Sequence, residues 1–494
     1  MTRSIFLQQV AAHSFAALGV KILGLVIAYA THLALAWIYG PDLMGTFFIA
    51  TNLVLIASTV CAIGLDNGLL RYAAVLQEVG RGSLVNRLLW QSNSAVMLTS
   101  SLFAGGLYLG RFWISAYLHA PALLAMIPWF ALALPLFTVM LLCRETLRGL
   151  GGVLGATLAQ HLVQPGLILA IIIAPMVTGY WQAAAGQKLS ISFFASIVAT
   201  LLVILWRLKL RLPSPAAQSA DEKFPWRELW GYSRMLFLTM VLALGLGTMD
   251  CLILALFRPP QEVAFYGAAL KLATFVLLPL LAVNAILPPL IVRLYEQQAK
   301  DELESLVRAM SRLTYYLALP LFLVLSLLSS ELLSIFGPGF ATARWALVLL
   351  ALGQLVNASV GPVFYILNLT GNQLTTLKVQ GITLVFLLPL VFYLAYRYGL
   401  NGLALTTASG VVFINLFAAW QVWKVLGIKT FANDVTLLSV MAFAAFGLSW
   451  GLRHYVPAYG VALIFSVLYT ATLLLVIWRN NEFYILSGYF ERKV

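Results

Sequence analysis

The sequence predicts an all-α polytopic membrane protein of about fourteen transmembrane helices, with two pseudo-symmetric six-helix lobes and a C-terminal helix pair. Three observations predict it. Of the 494 residues, 62% are hydrophobic and only 10% charged, far beyond what a water-soluble core requires. Apolar runs of roughly 20 residues, the length that crosses a ~30 Å hydrocarbon layer, recur from end to end. Lys and Arg fall almost wholly into alternate loops, as the positive-inside rule demands of a multi-span chain.

In chain order, the first run (18–39) follows a mildly polar lead-in helix, which argues against a cleavable signal peptide, and stops at the tight turn Gly40-Pro41-Asp42. The second (43–64) ends before the loop bearing Arg71, Arg81 and Arg87, and the third (88–108) before Arg111. The fourth (122–142) is closed by Arg144 and Arg148, the fifth (153–178) starts after Gly151-Gly152, and the sixth (190–206) stops at Arg207. Next comes the longest connection, with Pro213, Pro215 and small polar residues, which reads as a linker. The second half repeats the pattern at 232–257, 265–287, 313–330, 343–367, 379–397 and 402–423, followed by an extra pair at 434–452 and 457–478. The organisation is therefore an N-terminal lobe (1–206), a cytoplasmic linker (207–231), a C-terminal lobe (232–424), the extra pair (434–478) and a cytoplasmic tail (479–494).

With the amino terminus in the cytoplasm, only Arg111, Lys188, Arg258, Arg344, Arg397 and Arg453 fall outside, and Lys21 and Lys271 fall within spans. The remaining Lys and Arg lie inside, so both termini are cytoplasmic and the number of spans is even. This dispersal explains the net charge of +13 without a nucleic-acid partner. The cysteines, Cys61, Cys143 and Cys251, lie in or beside apolar runs, and neither a disulfide nor a metal site is expected. No phosphate-cradling loop, paired zinc histidines or Gly-x-Ser-x-Gly elbow is present, and the outer loops are too short for a catalytic domain. No cofactor is expected.

A shift of about 220 residues lays the second half on the first: Gly40-Pro41-Asp42 falls near Pro259-Pro260-Gln261, and Leu147-Arg148-Gly149 on Leu367-Asn368-Leu369. Two six-span halves of equal orientation follow the parallel-repeat plan of alternating-access transporters.

An ionisable residue in mid-span costs roughly 2.5–3.5 kcal/mol on insertion scales, so each needs a role. Asp250 and Lys271 lie at similar depth in adjacent spans; they are either a structural ion pair or part of a substrate or coupling-ion site. The repeat maps them near His32 and Asn52, so His32, Asn52 and Lys271 are candidates for a central cavity and Asp250 for a coupling ion, proton or sodium; Lys21, about one turn into the first span, is a further cavity candidate if it faces the lumen. The competing reading of His32 is a packed histidine, and of Lys21 a side chain snorkelling to the headgroups. Arg71, Arg144, Arg148 and Arg293 stand at cytoplasmic span ends, where guanidinium suits a diphosphate, although topology alone also places them there.

Four segments, "WIYGPDLMGTF" (37–47), "GLDNGLLRYAA" (64–74), "RETLRGLGG" (144–152) and the echo "AFYGAALKLA" (264–273), resemble the polysaccharide flippases, a branch of the multidrug, oligosaccharidyl-lipid and polysaccharide exporter superfamily. The resemblance runs over the whole chain, including the twelve-plus-two span count. It implies a bacterial inner-membrane protein, not an enzyme, that moves undecaprenyl-diphosphate-linked oligosaccharide to the outer leaflet for O-antigen, capsule or exopolysaccharide synthesis. The lipid bilayer and polysaccharide polymerase machinery are its implied partners. A lipid II flippase or multidrug exporter of the same superfamily shares the architecture. A membrane glycan polymerase or ligase is the rival of another class.

Overall fold

The computed structural model describes residues 3–79, 81, 83–178, 185–212, 226–431, 435–452 and 455–480. Most of the predicted linker (213–225), Arg453 and the tail beyond 480 lie outside the described residues. Within them every element is helical and there is no strand, as the need to satisfy backbone polar groups internally in hydrocarbon dictates. Each predicted span falls on a helix, and nine helices among the described residues are long and apolar enough to cross a membrane.

Two of those nine hold two spans each. Arg3–Ala62 breaks at Gly40 (φ 78°, ψ 171°) and Gln373–Leu426 at Gly399 (φ 58°, ψ −138°), conformations open to glycine because it lacks a Cβ. Pro41, in the first turn after the first break, needs no backbone donor there. Both breaks reverse the chain. The rings of His32 and Phe48 lie 5.0 Å apart, whereas a continuous helix would separate them by about 24 Å. Gly410 likewise meets the Leu387 side chain across the second break.

Ser83–Leu109 has span length but is not among the nine, because Asn86, Arg87, Gln91, Ser92, Asn93 and Ser94 make its first half polar. Thr436–Leu452 and Gly460–Leu473 are apolar but shorter. Pro260–Glu296 is interrupted by a 3₁₀ turn at Thr274–Leu277, just before Pro279, whose missing N–H frees a carbonyl one turn back. The Thr274 hydroxyl donates to the Lys271 carbonyl at 2.6 Å in the same stretch.

The chain divides into two compact units. The first comprises 16–267 and 388–403, the second 1–15, 268–387 and 404–494. The first unit is centred on Leu123–Gly149, where Phe130 stacks on Phe193 at 4.5 Å and Phe47 closes on their edges. Close backbone approach ties its helices: a Cβ on Gly45 would stand 1.8 Å from the Pro260 carbonyl oxygen, and one on Gly267 2.3 Å from the Phe48 ring. In the second unit, Val283, Leu287, Ile291 and Leu294, at helical spacing, meet Leu303, Val307, Ile366 and Val422 in a continuous apolar core. The extra helix pair belongs to this unit. The Tyr469 hydroxyl donates to the Tyr316 carbonyl at 2.6 Å, and the Tyr315 and Ser439 hydroxyls bond at 2.7 Å.

Candidate functional site: a basic cluster and a buried carboxylate

Three helices of the first unit bring together a cationic cluster. Arg144 and Arg148 lie in the last two turns of Leu123–Gly149, with Glu145 between them. The Arg144 Nε and Nη2 atoms reach Glu145 Oε1 at 2.9 and 2.8 Å, and Arg148 Nη1 straddles both carboxylate oxygens at 3.2 Å. One buried carboxylate therefore holds two guanidiniums that stay partly exposed, at 14% and 31% of their side-chain surface. They keep further N–H donors in planar forks suited to paired phosphate oxygens.

Lys21 and His161 complete the cluster. Both are within electrostatic reach of Arg148, and His161 also of Arg144. Their positions follow from a defect in the helix that carries His161. Pro165 can offer no N–H to the His161 carbonyl, and the helix widens to a π turn over Ala159–Val163. That carbonyl is met instead by the backbone of Gly24, where an added Cβ would stand 2.5 Å from it. Lys21, one turn before Gly24, is thus carried to the same junction. Further along, the Thr31 hydroxyl lies 3.4 Å from the Pro165 carbonyl and holds the two helices in register.

Asp66 borders the cluster. It lies in the first turn of Leu65–Glu78, an amphipathic helix outside the candidate spans, and is 8% exposed with Oδ1 unpartnered. Burial first, then the charge of Glu145, pushes its carboxyl above the ordinary aspartate range, against the Asn67 N–H and Arg144, which favour the charged form. The same helix packs on Trp226–Gly247, where Gly64 meets the Ser233 carbonyl and the Asn67 amide lies 3.5 Å from Met240 Sδ.

The expected site residues divide among several places. Arg144 and Arg148 share Glu145, and Lys21 lies within electrostatic reach of Arg148 and of His161, a like-charge proximity and not an ion pair. Arg71 is exposed on the amphipathic helix, and Arg293, partly buried, belongs to the second unit with the exposed Lys271. His32 and Asn52 both contact Phe48 in the first unit, and Asp250 of the same unit is held separately by Tyr266. His32 packs edge-on to Phe48, the Asn52 amide donates to the Phe48 carbonyl at 2.8 Å, and Phe48 lies against Gly267. Next to Gly267, the buried Tyr266 hydroxyl donates to Asp250 Oδ2 at 2.6 Å.

Glu145, His161 and Tyr266 were not candidates from sequence. The signals were present in the run Gln160-His161-Leu162-Val163-Gln164-Pro165, unusually polar for a span, and in the acidic residue set between two arginines. Two other cations are structural. Arg211 Nη1 caps the Leu150 carbonyl at 2.9 Å, and Arg207 stacks on Trp206.

Comparison with known proteins agrees with this architecture. Residues 6–295 match the family model described as polysaccharide biosynthesis protein, and residues 236–393 the MatE model. A probable low-salt glycan biosynthesis flippase, Agl15 of Haloferax volcanii, is 23% identical over 271 residues, covering 54% of this chain and 56% of that protein. The match thus spans a little over half of that relative's length. Among solved structures, the lipid II flippase MurJ in an inward closed conformation is similar with a TM-score of 0.69 at 13% identity, over 95% of this chain and 99% of that one. An inward-facing multidrug resistance MATE transporter also gives 0.69, at 12% identity over 84% and 98%. At these identities the structural likeness establishes the fold.

Proposed function

Because the chain belongs to the polysaccharide biosynthesis protein family, within the multidrug, oligosaccharidyl-lipid and polysaccharide exporter superfamily, we propose that it flips a diphosphate-linked oligosaccharide lipid across a bacterial inner membrane. The polyprenyl carrier, undecaprenyl in the simplest case, stays in the hydrocarbon while the glycan headgroup crosses from the cytoplasmic to the outer leaflet, by alternating access. The product feeds O-antigen, capsule or exopolysaccharide synthesis, alongside a polymerase. The Lys- and Arg-rich loops and both termini face the cytoplasm in this reading.

The observation that carries the proposal is the pair Arg144 and Arg148 on the single carboxylate of Glu145, with Lys21 and His161 within electrostatic reach of Arg148. A diphosphate needs several convergent N–H donors and positive charge near headgroup level, and this cluster supplies both. Arg71 and Arg293, each within its own unit, are further diphosphate ligands in this reading, and His32, Asn52 and Lys271 are headgroup ligands, each likewise within its own unit. Asp250, held by Tyr266, carries the coupling ion. No covalent bond is made or broken, so the chain acts as a transporter and not an enzyme.

The test is flipping of a fluorescent undecaprenyl-diphosphate sugar by the purified chain in proteoliposomes. Arg144→Gln combined with Arg148→Gln should lower the rate at least tenfold at equal reconstituted protein. An unchanged rate would overturn the assignment of the site. In cells lacking the gene, complete repeat units should accumulate on the cytoplasmic leaflet. Single units on the outer leaflet would indicate a polymerase instead.

A further inference from the structure

The first unit also holds a recess that shares no lining residue with the basic cluster. It is a cavity of about 700 Å³ between Ser83–Leu109, Leu123–Gly149 and Ala185–Lys209, lined among others by Asn86, Trp90, Asn93, Ser94, Leu205 and Lys209. Two of its lining side chains are exposed apolar groups, Trp90 at 78% and Leu205, and Leu98, Leu102 and Leu202 of the same two helices are exposed as well.

Its chemistry is layered. Asn86, Trp90, Asn93, Ser94 and Met97 fall on one face of their helix. Lys209, in the final turn of Ala185–Lys209, lines the same recess as Asn86. A cation therefore stands at the rim, and polar groups continue one to two turns further along the helix. Those groups are poorly satisfied by the protein. The Asn93 amide nitrogen donates to Cys143 Sγ at 3.5 Å, a weak acceptor, and Asn93 Oδ1 is buried with no hydrogen-bond partner. The Ser94 hydroxyl donates to its own helix at Trp90, which leaves its lone pairs open. The Asn93 amide, with one N–H on a weak acceptor and the other available, is costly in hydrocarbon unless an acceptor meets it.

We propose that this recess is a binding site for one anionic diacylglycerophospholipid, drawn from the leaflet that faces the Lys- and Arg-rich loops. The phosphate pairs with Lys209 and Asn86. A glycerol ester carbonyl accepts from the second N–H of the Asn93 amide, and the acyl chains run over Met97 and Leu205. A polyprenyl diphosphate fits the rim but not the interior, because its chain is hydrocarbon from the first carbon and offers Asn93 nothing. The assignment goes beyond the transport reading and does not depend on it.

The experiment is native mass spectrometry of the full chain, released from detergent with equimolar dioleoyl phosphatidylglycerol and dioleoyl phosphatidylcholine. One phosphatidylglycerol should be retained in preference to phosphatidylcholine. Lys209→Gln should weaken that retention about fivefold, the equivalent of the ~1 kcal/mol that one lysine gains near an anionic headgroup. Ser94→Phe, which fills the recess, should abolish it, with an unchanged thermal midpoint reporting that the variant is folded. Equal retention of the two lipids, or retention indifferent to Lys209→Gln, would refute the site. Displacement of phosphatidylglycerol by equimolar undecaprenyl phosphate would refute it too and make the recess a carrier-lipid portal.

Discussion

Replacing Glu145 by Gln tests the balance of charge in the basic cluster. At 2.8 and 3.2 Å, and with an effective dielectric constant of about 20, its carboxylate attracts the two guanidiniums by roughly 6 and 5 kcal/mol before any desolvation is counted. Most of that is offset by the cost of taking the ions from water, and removing one partner of a buried pair typically costs about 3–5 kcal/mol net. Two features lower the figure here. Arg148 is 31% exposed and partly screened. Gln also retains a carbonyl oxygen that can accept from Arg144, worth about 1 kcal/mol. The expected loss is therefore about 2 kcal/mol, read as a lower thermal midpoint of the detergent-purified chain. Freed from their carboxylate, the guanidiniums should also bind anions more tightly than in the wild type. Pyrophosphate at about 100 times its dissociation constant would return roughly 2.7 kcal/mol by mass action, enough to restore the midpoint. It should do nothing for a variant that also carries Arg144→Gln and Arg148→Gln. A midpoint equal to the wild type, or one that pyrophosphate does not move, would refute the reasoning.

Other perturbations have equally definite outcomes. Tyr266→Phe removes a 2.6 Å bond to a buried carboxylate and should cost about 1.5–3 kcal/mol; if a double-mutant cycle with Asp250→Asn gives no coupling energy, the two side chains do not act as a pair. Gly45→Ala places a methyl 1.8 Å from the Pro260 carbonyl oxygen and should cost at least about 3 kcal/mol in folded yield and midpoint. Gly19→Ala, in helix with open space around it, is the control and should be neutral or slightly stabilising. Asp66 has a folded-state pKa above its ordinary 3.8, so the native state holds the proton more tightly than the unfolded chain. Stability should then fall as pH rises from about 4 through that raised value. Asp66→Asn abolishes this fall: the variant should match the wild type near pH 4 and exceed it in midpoint at pH 7. A difference that is constant over this range would exclude titration of Asp66.

The spans were legible because their signal, about twenty apolar residues between punctuation, is local and strong. The turn at Gly40 was equally plain from Gly40-Pro41-Asp42. The end of the fourth span at Arg144 and Arg148 was legible for a similar reason, since charge closes an apolar run. What the residue pattern did not disclose depends on contacts between distant segments. Asp250 is bonded by Tyr266, sixteen residues on and beyond a turn, so no helical periodicity links them. His161 joins Lys21 only because Pro165 deforms its helix and Gly24 lets the backbones meet. Glu145 is informative only once both neighbours are seen to turn back onto it.

The reversal of the chain at Gly40 and at Gly399 has a bearing on how the protein is made. A span joined to the next by a single non-helical residue presents no hydrophilic loop to be carried across the bilayer. Such a pair enters as a closed hairpin, its two apolar halves released to lipid together, and the first half has no separate orientation to acquire or lose. The direction of each hairpin must then be set by its flanking charges on the opposite side, and an epitope or protease site inserted at either glycine should block assembly and not merely report topology.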